Sequence, residues 1–81
     1  MSDKEQQLII SSQQGDITSF EKLISIYQQK IFEIAYFKTQ NSAIAEDVTS
    51  EVIIRIFKKI KSFKFKSSFS TWVYRITCNI I

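Results

Sequence analysis

Positive charge is concentrated in the last part of the sequence. Residues 52–81 contain no acid and seven cations, namely Arg55, Lys58, Lys59, Lys61, Lys64, Lys66 and Arg75. Residues 1–51 contain all eight acids and four lysines, so formal charges of −4 and +7 combine to the +3 of the whole chain. A cationic segment of this kind attracts polyanions. Nucleic acid is therefore the first candidate ligand, while a solvated lysine-rich face and an anionic membrane surface are the alternatives.

The residue types that most catalytic and metal sites require are scarce. The 81 residues include no His, one Cys and one Gly. Without His there is no imidazole base or imidazole metal ligand, and Cys78 alone can form neither an internal disulfide nor a thiolate zinc site. Gly15 alone cannot build a Gly-rich phosphate loop. We therefore expect no enzyme activity, no metal and no cofactor. A metal-dependent nuclease using Asp16, Glu46 and Asp47 is a weak alternative, because these acids lie in the half that repels DNA.

The size of the chain predicts one small domain. A chain of 81 residues buries about 60 to 65% of its unfolded surface, and 44% hydrophobic residues with 11 aromatics suffice for one core. No apolar run reaches the roughly 18 residues of a membrane-spanning helix, and the polar N-terminus does not have the layout of a signal peptide. With a single cysteine, these features favour a cytoplasmic protein.

Apolar spacing predicts helices and no strands. Pro is absent, and apolar residues recur at steps of three and four. Ser2 and Glu5 form a capping-box pattern and Gly15 is typical of a helix end, so we predict a first helix at residues 3–13. A second helix begins near Asp16 or Thr18. Its apolar stripe is Phe20, Leu23, Ile24, Tyr27, Ile31, Ile34 and Ala35, and Tyr36 and Phe37 are expected to thicken it near the end.

A third helix follows the polar stretch at residues 39–42. Asn41 or Ser42 can cap it, and we expect it to run to about Ser62. Its stripe consists of Val48, Val52, Ile56 and Ile60, with Ile53 and Phe57 beside them.

Residues 63–66 alternate Phe and Lys but are too few for a stable strand, so we predict a loop there. Ser67 or Ser68 then caps a fourth helix, whose apolar face is Phe69, Trp72, Val73, Ile76 and Ile80. Mutual burial of these faces favours an all-α fold, a small bundle of three main helices plus a short N-terminal helix.

Three segments resemble those of a known family. They are QGDITSFEKLISIYQQKIFEIAY at residues 14–36, AEDVTSEVIIRIFKKIKSF at residues 45–63 and KFKSSFSTWVYRITCNI at residues 64–80. In this order they resemble region two of bacterial RNA polymerase sigma factors, most closely the extracytoplasmic-function (ECF) type. The most specific parts are Ala45-Glu46-Asp47 with Glu51, and Phe69-Ser70-Thr71-Trp72 followed by Tyr74-Arg75-Ile76.

The resemblance implies a surface for core RNA polymerase on the third helix, where the family binds the clamp coiled coil. The predicted polymerase-binding residues are Glu46, Asp47, Ser50, Glu51, Ile53, Arg55 and Phe57. Asp47 and Glu51 lie four residues apart on one helical face and repel each other, so a cationic partner would reduce the repulsion between the two carboxylates. The alternative is that both acids only form a solvated face of the helix or interact favourably with the positive, N-terminal end of its dipole. Ser50 departs from the Gln that is frequent at this point in the family.

The resemblance also implies that the loop and the fourth helix open the minus-ten promoter element and hold an unstacked base of the non-template strand. The predicted DNA-binding residues are Lys61, Lys64, Phe65, Lys66, Ser67, Ser68, Thr71, Trp72, Arg75 and Asn79. Cations suit phosphates and flat rings suit unstacked bases. Phe65 is the best exposed stacking candidate, whereas packing in the bundle is the preferred interpretation for Phe63, Phe69 and Trp72. Family members often carry Gly and an acid where this chain has Phe65 and Lys66, which leaves the base preference open.

The predicted function is a binding module of a transcription initiation factor. Its expected partners are core RNA polymerase, through the clamp coiled coil, and promoter DNA, with an anti-sigma factor as an optional third. No membrane insertion is expected. The alternatives are a helical protein-interaction adaptor with an incidental basic face and a membrane-surface bundle. Because the sequence stops inside an apolar stripe at Ile81, we expect residues 1–81 to be the N-terminal fragment of a longer protein, in which the family has a linker and a helix-turn-helix domain for the minus-thirty-five element.

Overall fold

The computed structural model describes residues 3–81. Its helices are α1 (Asp3–Gln13), α2 (Ile17–Thr39), α3 (Ser42–Lys59) and α4 (Phe69–Ile80), and a 3₁₀ turn (Ile60–Ser62) follows α3. No strand occurs within residues 3–81, so the prediction of an all-α fold is confirmed. None of the helices in this range combines the length and the apolar composition needed to cross a membrane. The predicted capping box involves Ser2, which lies outside the described residues.

The starts of α2 and α3 are fixed by capping side chains. The carboxylate of Asp16 accepts hydrogen bonds from the backbone N–H of Ser19 at 3.3 Å and from its hydroxyl at 3.0 Å, so Asp16 rather than Thr18 caps α2. The Asn41 side chain accepts the backbone N–H of Ile44 at 3.0 Å. Each cap satisfies an N–H group that has no partner inside its helix. Both caps had been predicted among the alternatives.

The core lies between the apolar faces of the four helices. Fully buried side chains come from every helix and include Ile9, Leu23, Ile31, Val52, Ile56, Phe69 and Val73. Helix α2 packs against α1, α3 and α4, and α3 also contacts α4. Shortening such a Leu, Ile or Phe to Ala costs roughly 2–5 kcal/mol. The buried hydroxyls of Ser12, Thr49 and Thr77 donate to carbonyl oxygens four residues earlier at 2.7–2.9 Å, so their polar groups are satisfied.

Helix α1 is held to α2 by a polar contact as well as by Ile9. The hydroxyl of Tyr27 donates a hydrogen bond to the carboxylate of Glu5. Burial raises the pKa of Tyr27 above its ordinary value, and the bond to Glu5 raises it further. The phenol is therefore kept neutral where α1 crosses α2.

The prediction that Tyr36 and Phe37 extend the apolar stripe of α2 is wrong. Their side chains are 44% and 75% exposed. Ile31 and Ala35 are fully buried and continue the inward face at a step of four. The next two positions are turned about 100° and 200° away from that face. Helix phase, and not residue type, determines their exposure.

The α-helical part of α3 ends earlier than predicted. Its last residue is Lys59, and the chain then tightens into the 3₁₀ turn instead of continuing as an α-helix to Ser62. The turn closes with a hydrogen bond of 3.1 Å from the backbone N–H of Phe63 to the carbonyl oxygen of Ile60. Ile60 and Phe63 both stay buried, so the turn keeps the apolar stripe in the core while it changes the direction of the chain.

Candidate nucleic-acid and protein interfaces

The α3–α4 loop, residues 63–68, starts from a buried aromatic ring. Phe63 is 4% exposed, and its ring centroid lies 5.3 Å from those of both Phe69 and Trp72. Phe69 is fully buried, and Trp72 is partly buried against the core. The packing interpretation is thus confirmed for Phe63 and Phe69, while Trp72 belongs both to the core and to the surface beside the loop.

A side chain from α1 fixes the start of the α3–α4 loop. The Nε2 atom of Gln13 donates hydrogen bonds to the carbonyl oxygens of Ile60 and Phe63, both at 2.9 Å. These partners are 47 and 50 residues away from Gln13 in the sequence. No local sequence pattern indicates a contact over that distance, so Gln13 was absent from the predicted site residues.

Phe65 has a left-handed backbone, with a φ of 60°. This region disfavours residues that carry a Cβ atom, and it is the position at which the family resemblance leads us to expect Gly. The Phe65 ring is 41% exposed. Its centroid lies 4.8 Å from that of Phe63, with the planes tilted by 54°. The ring therefore rests on the buried Phe63 and keeps part of its surface open to solvent, as a stacking side chain must.

A cavity of about 280 Å³ opens beside the α3–α4 loop. Five of the predicted DNA-binding residues line it, namely Lys64, Lys66, Ser67, Trp72 and Arg75, together with Ser62 and Phe63. The concave surface thus carries three cations and an indole ring. Such a combination can hold phosphate oxygens through charge-assisted hydrogen bonds and a flat group through stacking.

A second cavity of about 420 Å³ continues along α4. It is lined by Thr71, Tyr74, Arg75, Cys78 and Asn79. Arg75 borders both cavities, so the predicted DNA-binding residues that line them form one continuous surface. Tyr74 and Cys78 were not among the predicted residues, although Cys78 is exposed within this surface.

Ser68, another predicted DNA-binding residue, is used within the protein. Its Oγ accepts the backbone N–H of Thr71 at 3.2 Å and donates to Oγ1 of Thr71 at 2.8 Å. Ser68 is therefore the N-cap of α4. It places the positive end of the helix dipole at the α3–α4 loop, where an anion is favoured.

Lys61 lies apart from the other predicted DNA-binding residues. It belongs to the 3₁₀ turn and lines a cavity of about 330 Å³ together with Lys58 and Phe57 on one side and the α1–α2 connection on the other. The structure brings Lys64 and Lys66 to the same cavity but does not bring Lys61 to it.

Some of the predicted polymerase-binding residues line a groove between α2 and α3. Glu46, Ser50 and Ile53 border this groove, whose volume is about 500 Å³. Its remaining lining consists of Thr49 and of Gln28, Gln29 and Phe32 on α2, which no sequence pattern indicated. Phe57 extends the same side of α3. Its ring is 50% exposed and meets the ring of Phe20 edge-on, at a centroid distance of 5.1 Å.

The other predicted polymerase-binding residues lie on different faces of α3. Asp47 and Glu51 are exposed and, at about 100° per residue, project roughly 100° around the helix from Glu46 and Ser50. Arg55 follows Glu51 by about one turn and lies roughly 160° from the groove-lining Ile53. The structure therefore groups three of these residues in the groove. Asp47 projects to one side of it, while Glu51 and Arg55, each two residues from Ile53, both project from the far side of α3.

Comparison with protein families gives a match over most of the chain. Residues 23–81 match the family model described as Sigma-70 region 2. The match includes α3, the α3–α4 loop and α4, and therefore both candidate surfaces. It does not include α1.

Curated bacterial proteins are similar to this chain over part of their own length. The ECF RNA polymerase sigma factor SigW of Bacillus subtilis is 39% identical over 66 residues, which are 82% of this chain and 35% of that protein. The RNA polymerase sigma-H factor of Pseudomonas aeruginosa is 34% identical over 77 residues, 95% of this chain and 40% of that protein. The ECF RNA polymerase sigma-E factor of Haemophilus influenzae is 37% identical over 75 residues, 93% of this chain and 39% of that protein. The chain thus spans 35 to 40% of the length of these relatives.

A solved structure has the same backbone fold. It is the NMR structure of the complex formed by an engineered region 2 of sigmaE with GTAAAA. The TM-score is 0.87 at 33% sequence identity, and the alignment covers 99% of this chain and 85% of that chain.

Proposed function

The chain belongs to the sigma-70 region 2 family as an ECF-type member, and we propose that it is the module of a transcription initiation factor that binds core RNA polymerase and recognises and opens the minus-ten promoter element. The observation that supports this most is the continuous surface of cations and aromatic rings that runs from the α3–α4 loop along α4. That surface lies on a backbone similar to a sigmaE region 2 whose structure contains GTAAAA.

In the proposed complex the non-template strand follows this surface. Lys64, Lys66 and Arg75 neutralise phosphates, while the open part of the Phe65 ring stacks on an unstacked base. Each such stacked base adds about 1–3 kcal/mol, which is of the same order as the few kcal/mol needed to take a base out of a duplex. The exposed amide of Asn79 lies farther along the surface, where it can hydrogen-bond to a base edge.

The proposed polymerase surface combines the α2–α3 groove with the exposed acids of α3. Ile53 and Phe57 supply apolar contact, and Glu46, Asp47 and Glu51 supply negative charge around it. A cationic, partly apolar helical partner is complementary to this arrangement, and we assign it to the clamp coiled coil of core polymerase. The groove shares no lining residue with the two cavities of the proposed DNA surface, so the two proposed contacts do not compete for the same residues.

The proposed role is that of one domain of a longer factor, because the relatives that carry this region are more than twice as long. Polymerase and promoter both lie in the bacterial cytoplasm, where the proposal therefore places the chain.

The test is a fluorescence titration of the 81-residue chain with a set of six-base single strands that includes GTAAAA, at several salt concentrations and with or without core polymerase. We expect weak, salt-dependent binding with unequal affinities among the sequences, and tighter binding when polymerase is present. A double variant, Lys64→Ala with Lys66→Ala, should weaken binding to all sequences, whereas the matched pair Lys22→Ala with Lys30→Ala on α2 should not. Salt-independent binding would contradict the DNA surface, and the absence of both DNA and polymerase binding would favour the adaptor alternative.

A further inference from the structure

The side-chain amide of Gln13 joins the end of α1 to the start of the α3–α4 loop. Its Nε2 atom donates to the carbonyl oxygens of Ile60 and Phe63, at 2.9 Å each, so both amide hydrogens are used. Both carbonyls lie just beyond the end of α3, and the carbonyl oxygen of Ile60 also accepts the backbone N–H of Phe63 at 3.1 Å within the 3₁₀ turn. The Gln13 amide therefore gives the Ile60 carbonyl a second donor and supplies a donor to the Phe63 carbonyl.

Phe63 connects this contact to the cationic cavity. Its ring is buried against Phe69 and Trp72, and it lines the cavity together with Lys64 and Lys66. When the carbonyl of Phe63 is held, the direction in which the backbone leaves the core is held as well. That direction determines where the next residues, including the left-handed Phe65, are placed.

We propose that Gln13 is a positioning residue for the α3–α4 loop, holding it in the conformation that reads a base without touching nucleic acid itself. This inference rests on the proposed function and deepens it. Gln13 lies outside residues 23–81, which match the family model, and outside both cavities of the DNA surface. The selectivity of the loop thus depends on a side chain from the first helix.

Other contacts also attach α1 to the bundle. An effect of Gln13 on the α3–α4 loop can therefore be separated from an effect on the packing of α1. Ile9 is fully buried in the core, and Glu5 accepts the hydrogen bond from Tyr27 at the other end of the helix. Removal of the Gln13 amide leaves these contacts in place. The α3–α4 loop is then the element that changes.

Two substitutions test the proposal. Gln13→Leu keeps the approximate size of the side chain and removes its donors, and Gln13→Glu places an acceptor against two carbonyl oxygens. The control is Gln14→Leu, because the Gln14 side chain is exposed. In ¹H–¹⁵N spectra, we expect both Gln13 variants to shift the amide signals of residues 64–67, while the control leaves them unchanged.

The same variants are then titrated with the set of six-base single strands. We expect the ratio between the strongest and the weakest affinity to fall about three- to tenfold in the Gln13 variants. The salt dependence should stay as in the wild type, because Lys64, Lys66 and Arg75 are still present. If Gln13 had only a structural role, its variants would have a lower melting temperature. They would not show a reduced affinity ratio together with an unchanged salt dependence.

Unshifted loop signals, or an unchanged affinity ratio in folded Gln13 variants, would overturn the proposal. A measurement on the wild type tests the two hydrogen bonds, on which the proposal depends, even if the variants do not fold. The side-chain NH₂ of Gln13 should exchange with solvent more slowly than that of Gln14. Equal exchange would contradict the two hydrogen bonds and overturn the proposal. If the wild type binds all single strands equally, the proposed function fails, and the loop signals still show whether Gln13 positions the loop.

Discussion

The ring of Phe65 packs 4.8 Å from the ring of Phe63 although the backbone at Phe65 is left-handed, with a φ of 60°. For a residue with a Cβ atom this backbone costs about 1–2 kcal/mol. An aromatic pair contributes about 0.5–1.5 kcal/mol beyond its buried area, so the contact with Phe63 offsets much of the cost. The ring thus stabilises a strained loop while part of its surface stays exposed to solvent.

Two substitutions at Phe65 separate the backbone from the ring. Phe65→Ala and Phe65→Gly both remove the ring, and they differ in the Cβ atom that disfavours a left-handed backbone. We expect the Gly variant to have a free energy of unfolding about 1 kcal/mol higher than that of the Ala variant, measured by urea denaturation. Both variants should bind the preferred single strand about 1–3 kcal/mol more weakly than the wild type. An Ala variant at least as stable as the Gly variant would contradict the left-handed backbone.

The parts of the fold that depend on neighbouring residues were predictable from the sequence. Asp16, Asn41 and Ser68 each cap a helix through an N–H group three residues later, and an oxygen-bearing side chain before an apolar stripe indicates such a cap. The burial of Phe63 likewise follows from the continuation of the α3 stripe. These signals are contained within a few residues, so the tertiary structure is not needed to find them.

Two kinds of feature were not predicted, for different reasons: helix phase can be calculated from the sequence but conflicted with residue type, whereas distant contacts leave no local pattern. Tyr36 and Phe37 have apolar rings but lie on the side of α2 that faces solvent. Asp47 and Glu46 are adjacent in the sequence and therefore project from different faces of α3. The contact between Gln13 and Phe63 spans 50 residues and requires that α1 and the 3₁₀ turn be brought together by the core.

The cations of the proposed DNA surface predict a salt dependence of binding. If three or four phosphates are neutralised, the logarithm of the association constant should fall with the logarithm of salt concentration at a slope of roughly −2 to −3 on single strands. Lys64→Ala and Lys66→Ala should each flatten this slope by about 0.7 and weaken all sequences alike. Lys61→Ala should have a smaller effect, because Lys61 lines a different cavity. Titrations at four or more salt concentrations measure the slope, and equal effects of all three lysines would contradict this arrangement.

The contact between Tyr27 and Glu5 predicts a loss of stability at alkaline pH. The pKa of Tyr27 is raised in the folded protein by burial and by the hydrogen bond to Glu5, so the unfolded chain loses its phenolic proton first. The contribution of Tyr27 to stability is complete below the ordinary tyrosine pKa of about 10 and decreases as the pH rises beyond it. Urea denaturation at several pH values should show a steeper alkaline decline in the wild type than in Tyr27→Phe.

The matched control for Tyr27 is Tyr36→Phe, which removes an exposed phenol. This variant should keep the alkaline decline of the wild type. At neutral pH, Tyr27→Phe should lower the free energy of unfolding by about 1 kcal/mol, because one hydrogen bond is lost. Identical pH profiles for the wild type and Tyr27→Phe would contradict a raised pKa.

Charge reversal on α3 tests the proposed polymerase surface. Asp47 and Glu51 are both exposed, and they lie four residues apart on a face of α3 that is turned away from the groove-lining Ile53. Because like charges at this spacing repel each other, the two acids are more stable next to a cationic partner than when exposed to solvent. The double variant Asp47→Lys with Glu51→Lys should therefore bind core polymerase about tenfold or more weakly, while circular dichroism shows an unchanged helix content. The measurement is a titration of fluorescently labelled chain with core polymerase.

The matched control changes the net charge by the same amount at a different place. Glu21→Lys with Glu33→Lys reverses two exposed acids on α2, outside the groove lining, and should leave the affinity for polymerase within about twofold. A loss of equal size in both double variants would show that net charge alone is responsible. Unchanged affinity in the α3 variant would remove Asp47 and Glu51 from the interface. A third variant, Ser50→Gln, introduces the residue that the family often has at this groove position, and it should strengthen polymerase binding if the groove itself takes part in the contact.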